Sequence, residues 1–189
     1  MSLHIPNTAP FSGAQKMWLK GYLDALNSAL NPATTAFPVP TGLPITILWG
    51  SQTGISESLA KKLSKSLVTR GHSPTLRDMA DVSPADLSAV GNLLIITSTY
   101  GDGEPPDNAA SLHTALAAAD APQLSSLNFA VLALGDSSYP DFCKYGHDFH
   151  ARLTALGAKP LIPITESDVD YDEPFATWIA QLEKALIAA

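Results

Sequence analysis

The sequence predicts an α/β fold in which a parallel sheet is covered by helices on both faces. From residue 44 onward, apolar strand-like stretches alternate with helical patterns five times. The helical stretches carry apolar residues on one face; Leu59, Leu63 and Leu67, for example, are four residues apart. With 46% hydrophobic residues in a chain of 189, one globular core can be filled. Strict alternation of strand and helix is typical of parallel sheets with helices on both sides.

A helix is predicted ahead of this alternation, over about residues 13 to 30. Ser12 is the expected N-cap, and Gln15 stands three residues later in the capping-box position. Apolar side chains then recur at helical spacing, at Trp18, Leu19, Tyr22, Leu23, Leu26 and Leu30. Four prolines follow, at 32, 38, 40 and 44, and predict an extended linker. The chain thus divides into a helix with linker at 1–43 and a domain at 44–189, and the apolar stripe packs either on that domain or on another chain.

The first strand is predicted at residues 45–50, where the run "ITILWG" is almost wholly apolar. The helix over 56–69 follows and presents its three leucines to the sheet. A second strand at 73–79 and a short helix at 83–90 come next. These elements form the first half of the alternation.

The third strand is predicted at residues 92–99, and a helix over 108–119 follows it. The fourth strand, at 128–136, leads into a helix over 145–156 in which Phe149 and Leu153 are four residues apart. The last pair is a strand at 159–165 and a helix over 174–187, with Trp178 and Leu182 at the same spacing.

Charge and composition exclude several classes of function. The net charge is −7 and the pI is about 5.0, which disfavours nucleic acid and anionic membranes as partners and suits a basic protein. Cys143 is the single cysteine and cannot form an internal disulfide. No apolar run reaches the roughly 18 residues of a membrane span, and the first residues lack the order of a signal peptide. We therefore expect a cytoplasmic protein.

The turn after the first strand, "SQTGISE", has the composition of a phosphate site. It lacks the Gly-Lys-Ser/Thr of a Walker A loop and the three spaced glycines of a dinucleotide fingerprint. It does combine the hydroxyls of Ser51, Thr53 and Ser56 with Gly54 and the free N–H groups of a helix start. Such a turn suits a terminal monophosphate, and an ordinary hydroxyl-capped helix is the alternative interpretation.

Two further loops carry an aromatic residue beside glycine. Tyr100 precedes Gly101 after the third strand, and Tyr139 follows Gly135 after the fourth. Because the carboxyl ends of parallel strands meet at one edge, the two rings can enclose a flat ring system there. A phosphate at one end and a planar ring at the other describe flavin mononucleotide, FMN.

The three loops "SQTGISE", "STYGDGEPPDNA" and "LGDSSYPDFCKYG" resemble the flavin loops of the flavodoxin-like domain of diflavin reductases. Within that family the flavoprotein alpha subunits of NADPH-sulfite reductase are the most similar. The resemblance covers residues 44–189. It implies a doubly wound, five-stranded parallel sheet of order 2-1-3-4-5, with the ligand at the switch between the first and third strands.

The resemblance also implies the site residues. Those that wrap the phosphate are Ser51, Gln52, Thr53, Gly54, Ile55 and Ser56. Those that line the ring are Ser98, Thr99, Tyr100, Gly101, Leu134, Gly135, Asp136, Ser137, Ser138, Tyr139, Phe142 and Cys143, with Asp168 placed near the flavin. We expect Tyr139 to stack opposite Tyr100, Gly101 to let its peptide turn toward the flavin, and Cys143 to pack rather than react. No metal ligands and no catalytic side chains are expected.

An acidic rim surrounds the same edge, formed by Asp102, Glu104, Asp107, Asp136 and Asp141. This acidic rim either lowers the reduction potential of the flavin or affects only the docking of a partner protein. At the position of Tyr100, some sulfite reductase subunits carry glutamine. In this respect the chain is closer to the reductases of haem monooxygenases, which leaves the electron acceptor open.

The function predicted is that of an FMN electron-transfer domain. It passes single electrons from a C-terminal FAD and NADPH module, absent from this chain, to a basic haem or metal-centre protein, in the first place the sulfite reductase haemoprotein. The chain is thus part of an NADPH-dependent oxidoreductase and does not oxidise NADPH alone. The alternatives are a stand-alone flavodoxin-type carrier, a domain serving a haem monooxygenase, and a flavin-free interaction domain. A receiver domain would need aspartate where Ser98 and Thr99 stand.

Overall fold

The computed structural model describes residues 12, 15, 16, 19, 20, 23 and 42–188. The chain divides into two compact units, residues 1–41 and 42–189. In the first unit the predicted capping box is present: Ser12 N–H donates to Gln15 Oε1 at 2.9 Å, and Gln15 N–H donates to Ser12 Oγ at 3.3 Å. The described residues after Ser12 are helical. The rest of the predicted helix and the linker up to residue 41 lie outside the described residues.

The second unit alternates strands and helices, as predicted. The strands are β1 Pro44–Gly50, β2 Ser73–Asp78, β3 Asn92–Ser98, β4 Asn128–Leu134, β5 Lys159–Pro160 and β6 Thr165–Ser167. The helices are α1 Ile55–Thr69, α2 Pro84–Ser88, α3 Ala110–Ala117, α4 Lys144–Ala155 and α5 Asp172–Ala188. Two short 3₁₀ turns, Met79–Asp81 and Asp107–Ala109, follow β2 and precede α3.

All these strands are parallel and lie in the order β2-β1-β3-β4-β5, which confirms the predicted fold class. The predicted fifth strand is divided, however. Phe129 pairs with Pro160 in β5, and Leu132 pairs with Thr165 in β6, so residues 161–164 lie between the two paired segments. Leu161 N–H still donates to the Phe129 carbonyl at 2.7 Å, but the next N–H toward β4 would come from Pro163, which has none, and this explains the interruption.

The core lies in two layers, one on each face of the sheet. The leucines of α1 pack with Trp178 and Leu182 of α5 on one face, and α3 and α4 pack on the other through Leu112, Phe149 and Leu153. All these side chains are buried, as their helical spacing predicts. The central strand β3 is buried on both faces, so it needs no polar side to meet water.

The strand directions bring the loops after β1, β3, β4 and β6 to one edge of the sheet, which we call the carboxyl edge. Across the helices that the structure describes, none has both the length and the apolar character that crossing a bilayer requires.

Candidate functional site

A cleft of about 510 Å³ opens at the carboxyl edge. Its walls come from the loops after β1, β3, β4 and β6. The lining residues are Thr53, Ile55, Ser98, Thr99, Tyr100, Gly101, Leu134, Gly135, Asp136, Tyr139, Asp141, Phe142, Asp168, Val169 and Tyr171. This volume lies within the range of small-molecule sites, and the lining mixes apolar surface with a few polar groups, as such sites do.

The turn between β1 and α1 contributes Thr53 and Ile55 to the lining of the cleft. Gly54 precedes the helix in the left-handed conformation, with φ of 90°, and no side chain of the described residues caps the helix N-terminus. The first backbone bond of the helix is the 3.0 Å bond from Ser58 N–H to the carbonyl of Gly54. The N–H groups of residues 55–57 therefore precede the helical ladder and are left for another acceptor. An uncapped helix start with free N–H groups is favourable for an anion.

The hydroxyls of this turn have different environments. Thr53 is exposed at the cleft, and within the described part of the chain its hydroxyl has no partner. Ser51 Oγ accepts the N–H of Gly54 at 2.9 Å, which closes the turn on itself. Ser56 is fully buried below the turn, and its hydroxyl lacks a partner among the described residues. Of the three hydroxyls predicted to bind the phosphate, that of Thr53 is therefore the one that reaches the cleft directly.

Two exposed tyrosines also line the cleft. Tyr100 is 50% exposed and Tyr139 is 59% exposed, unusual values for large aromatic side chains. Tyr100 is held by a tight hairpin in which its N–H and carbonyl bond to Glu104 at 2.9 and 2.8 Å. Gly101, at the tip of that hairpin, has φ of 52°, a conformation that favours glycine. Two aromatic surfaces are therefore available to a planar ligand.

Cys143 lies behind the cleft wall, at the start of α4. It is fully buried, and its Sγ lies 3.2 Å from the carbonyl oxygen of Ala133. Burial raises the pKa of the thiol to about 11. Gly135 lies against it, since a Cβ added at Gly135 would come within 2.8 Å of the Cys143 nitrogen. The thiol is therefore a protonated packing group at neutral pH.

Asp168 joins the loops after β4 and β6. Its carboxylate accepts the N–H of Ser137 at 3.0 Å, the Ser137 hydroxyl, and the N–H of Val169 at 2.8 Å. The bonds from Ser137 hold the pKa of this carboxyl below its ordinary value. With Asp136 and Asp141, Asp168 makes the lining of the cleft negative at neutral pH.

Most of the site residues predicted from the sequence line this cleft. The predicted residues that do not line it are Ser51, Gln52, Gly54, Ser56, Ser137, Ser138 and Cys143, which lie in the same loops or behind them. Sequence reasoning left three lining residues out of the site: Asp141, placed only in the acidic rim, and Val169 and Tyr171. The signal for the last two is their position directly after the last strand, at the same edge as Asp168.

An open parallel sheet of this order, with an uncapped helix start at its topological switch, places the chain in the doubly wound α/β class. A family model described as flavodoxin matches residues 47–178, and the chain belongs to the flavodoxin family. Over 92% of this chain it is 45% identical to the "Sulfite reductase [NADPH] flavoprotein alpha-component" of Bacillus subtilis (strain 168). A protein of the same name from Shewanella sp. (strain ANA-3) is 43% identical over 95% of the chain. The chain spans about 30% of the length of both relatives.

Solved structures of free flavodoxins are similar in fold. The flavodoxin of Streptococcus pneumonia TIGR4 superimposes with a TM-score of 0.68 at 25% identity, over 77% of this chain and 99% of that one. A point mutant of flavodoxin from Pseudomonas aeruginosa gives a TM-score of 0.67 at 30% identity, over 76% of this chain and 99% of that one. The similarity covers nearly all of each flavodoxin.

FMN is the cofactor of the flavodoxin family, and the residues present fit it. The uncapped start of α1 and Thr53 suit the phosphate, and the exposed rings of Tyr100 and Tyr139 suit the isoalloxazine. The described residues contain no group of three or more His, Cys, Asp or Glu side chains arranged to hold a metal ion.

Proposed function

We propose that this chain is the FMN domain of an NADPH-dependent diflavin reductase of the sulfite reductase type. It receives electrons from an FAD and NADPH module and passes them singly to a basic haem or metal-centre protein, the sulfite reductase haemoprotein. The observation that carries the proposal is one cleft that is bordered by an uncapped helix start and lined by two exposed tyrosines.

Different residues of the cleft bind different parts of FMN. The N–H groups at the start of α1 and the hydroxyl of Thr53 hold the phosphate, and Tyr100 and Tyr139 contact the two faces of the ring. Asp136 and Asp168 place negative charge beside the ring, which disfavours an added electron. FMN supplies the redox chemistry when it is bound, because it exchanges one or two electrons. The side chains bind and orient FMN and shield its ring from water.

The partners follow from the relatives and from charge. The two relatives named above are NADPH-dependent sulfite reductase flavoproteins about three times as long as this chain, and their remaining length suits an FAD and NADPH module. A net charge of −7, with acidic side chains around the cleft, favours a basic electron acceptor. A cytoplasmic location agrees with a single, buried, unpaired cysteine.

FMN binding is tested by titrating the flavin-free chain with FMN and with riboflavin, which lacks the phosphate. Wild type binds FMN one to one, and Thr53→Ala raises the Kd for FMN by about fivefold to tenfold while riboflavin affinity changes by less than about twofold. Thr69→Ala is the matched control: Thr69 lies at the other end of α1, and its hydroxyl bonds to the carbonyl of Ser66 at 2.7 Å. A wild-type chain that does not bind FMN overturns the proposal, and equal losses for both ligands overturn the phosphate assignment.

Electron transfer is tested by mixing the photoreduced, FMN-loaded chain with cytochrome c, a basic haem protein. We expect a second-order rate that falls as ionic strength rises, and a slower rate for Asp102→Asn with Glu104→Gln at low salt. A rate that is independent of ionic strength overturns the proposal that the acidic rim guides docking of the electron acceptor.

A stand-alone carrier is the second candidate, and the coverage of 99% of a free flavodoxin favours it. The rate of electron transfer from an isolated FAD and NADPH module of the relatives distinguishes a diflavin reductase domain from a stand-alone carrier. A diflavin reductase domain accepts electrons from that module rapidly, whereas a stand-alone carrier does so only slowly.

A further inference from the structure

A partly buried polar contact below the first turn fixes the position of that turn. The side chain of Asn108, which lies in the 3₁₀ turn before α3, is at its centre. Asn108 Oδ1 accepts the N–H of Ser51 at 2.9 Å. Its Nδ2 donates to Asp78 Oδ1 at 2.8 Å and to the carbonyl of Trp49 at 3.5 Å. One amide thereby joins the ends of β1 and β2 to the turn.

The neighbouring residues make a second contact on the same side. Gln52 Nε2 donates to Asp107 Oδ2 at 3.0 Å, and Asp107 N–H donates to Gln52 Oε1, also at 3.0 Å. Two consecutive residues of the turn are therefore held by two consecutive residues of another loop. Ser51 N–H is occupied by Asn108, and Gly54 N–H is occupied by the Ser51 hydroxyl. The donors that the described residues leave unpaired therefore include the N–H of Gln52, the N–H and hydroxyl of Thr53, and the N–H groups at the helix start.

We propose that Asn108 is a positioning residue for the FMN phosphate. It does not contact the phosphate itself but fixes the turn over residues 51–54, which does. The inference rests on the proposed function, because it requires a phosphate in this turn. A rigid turn presents its free N–H groups at no ordering cost on binding, and this increases affinity for the phosphate but not for the ring.

The chemistry of the contact selects asparagine. The position needs an acceptor toward Ser51 and donors toward Asp78 and Trp49. Alanine leaves the Ser51 N–H without its acceptor. Aspartate keeps that acceptor but sets a carboxylate against the carboxylate of Asp78, and it adds negative charge below the phosphate.

The test is the ratio of the Kd for riboflavin to the Kd for FMN, measured on the flavin-free chain. Asn108→Ala is expected to lower this ratio about tenfold, through weaker FMN binding alone. Asn108→Asp is expected to lower it further, and Asp78→Asn in that background to recover part of the loss. A merely structural role would weaken both ligands together and leave the ratio unchanged.

Asn128→Ala is the matched control. Asn128 also bonds through its amide, to Asn92 Oδ1 at 3.4 Å, but at the opposite, amino end of the sheet. We expect this variant to keep the wild-type ratio. A wild-type ratio in Asn108→Ala, in a chain whose wild type binds FMN, overturns the inference and leaves the proposed function standing. If wild type does not bind FMN, both fall. Should Asn108→Ala not fold, the exchange of Asn108→Asp with Asp78→Asn decides instead, because it restores the contact at unchanged net charge: it should recover part of the loss seen in Asn108→Asp, and no recovery overturns the inference.

Discussion

Gly146 lets helix α4 approach the sheet closely, and replacing it with alanine should destabilise the domain. Gly146 is buried, and a Cβ added there would lie 2.3 Å from the Cβ of Ala133 and 3.1 Å from its Cα. Both atoms belong to β4 near the centre of the sheet, so no flexible side chain can give way. Helix and strand must separate by about an ångström or more to restore a normal contact distance.

The free-energy change follows from two opposing effects. Alanine is the better helix former by about 0.5–1 kcal/mol, and overpacking a closed core costs about 1–3 kcal/mol. We expect Gly146→Ala to lower the free energy of unfolding by about 1–2 kcal/mol. For a domain of this size the melting temperature then falls by about 3–8 °C. Thermal and urea unfolding of the flavin-free chain measure both quantities.

A double-mutant cycle tests the cause. Ala133→Gly removes the opposing Cβ, so it should cost less in the Gly146→Ala background than in wild type. The separation also loosens the wall that holds Cys143, whose Sγ bonds to the Ala133 carbonyl. Thiol reactivity should therefore rise in Gly146→Ala. An unchanged melting temperature, or two costs that simply add, would refute the close-contact argument.

Three other predictions follow from the site and the core. Because the pKa of Cys143 is raised to about 11, its thiol should react with a disulfide reagent at pH 8 about a hundredfold more slowly in the folded chain than in urea; equal rates would contradict its burial. Burial and then the charge of His147 lower the pKa of His150 from 6.5, so the contribution of His150 to stability is present above about pH 6.5 and is lost as the pH falls through the lower folded-state pKa. His150→Phe should therefore flatten the profile of melting temperature against pH between pH 7.5 and 5. An unchanged slope would contradict this. Gly54→Ala has open space but a φ of 90°, so it should cost about 1–2 kcal/mol in unfolding free energy and weaken FMN more than riboflavin; wild-type behaviour in both assays would contradict the role of the left-handed turn.

The fold was predictable because its strands and helices repeat simple patterns. Strand β3 is an unbroken apolar run, and α1 carries three leucines four residues apart, which is enough to set its buried face. The sheet order came from resemblance to a family and is confirmed by the strand pairing. The division of the last strand was not predictable, because "KPLIPIT" has the composition of a strand and the sequence alone does not show that Pro163 falls where an N–H toward β4 is needed.

The candidate site was predictable where its residues are contiguous in sequence. The loops that contain Thr53, Tyr100 and Tyr139 each follow a strand, and parallel strands bring such loops together. Asn108 was not predictable, because its role depends on three partners from separate parts of the chain. The burial of Ser56 was also not visible, since a serine in the first turn of a helix can face either way.

The interruption between β5 and β6 leaves the register of the last strand intact beyond it. Phe129 pairs with Pro160, an offset of 31, whereas Leu132 pairs with Thr165, an offset of 33, so two extra residues are inserted. An even number preserves the side-chain alternation of the strand. Deleting two of residues 161–164 would give both pairings the same offset, so the strand would become continuous while Thr165 stays opposite Leu132 and Asp168 keeps its place. A related chain that lacks the interruption would therefore still present a carboxylate to the loop after β4, where Asp168 accepts the N–H of Ser137.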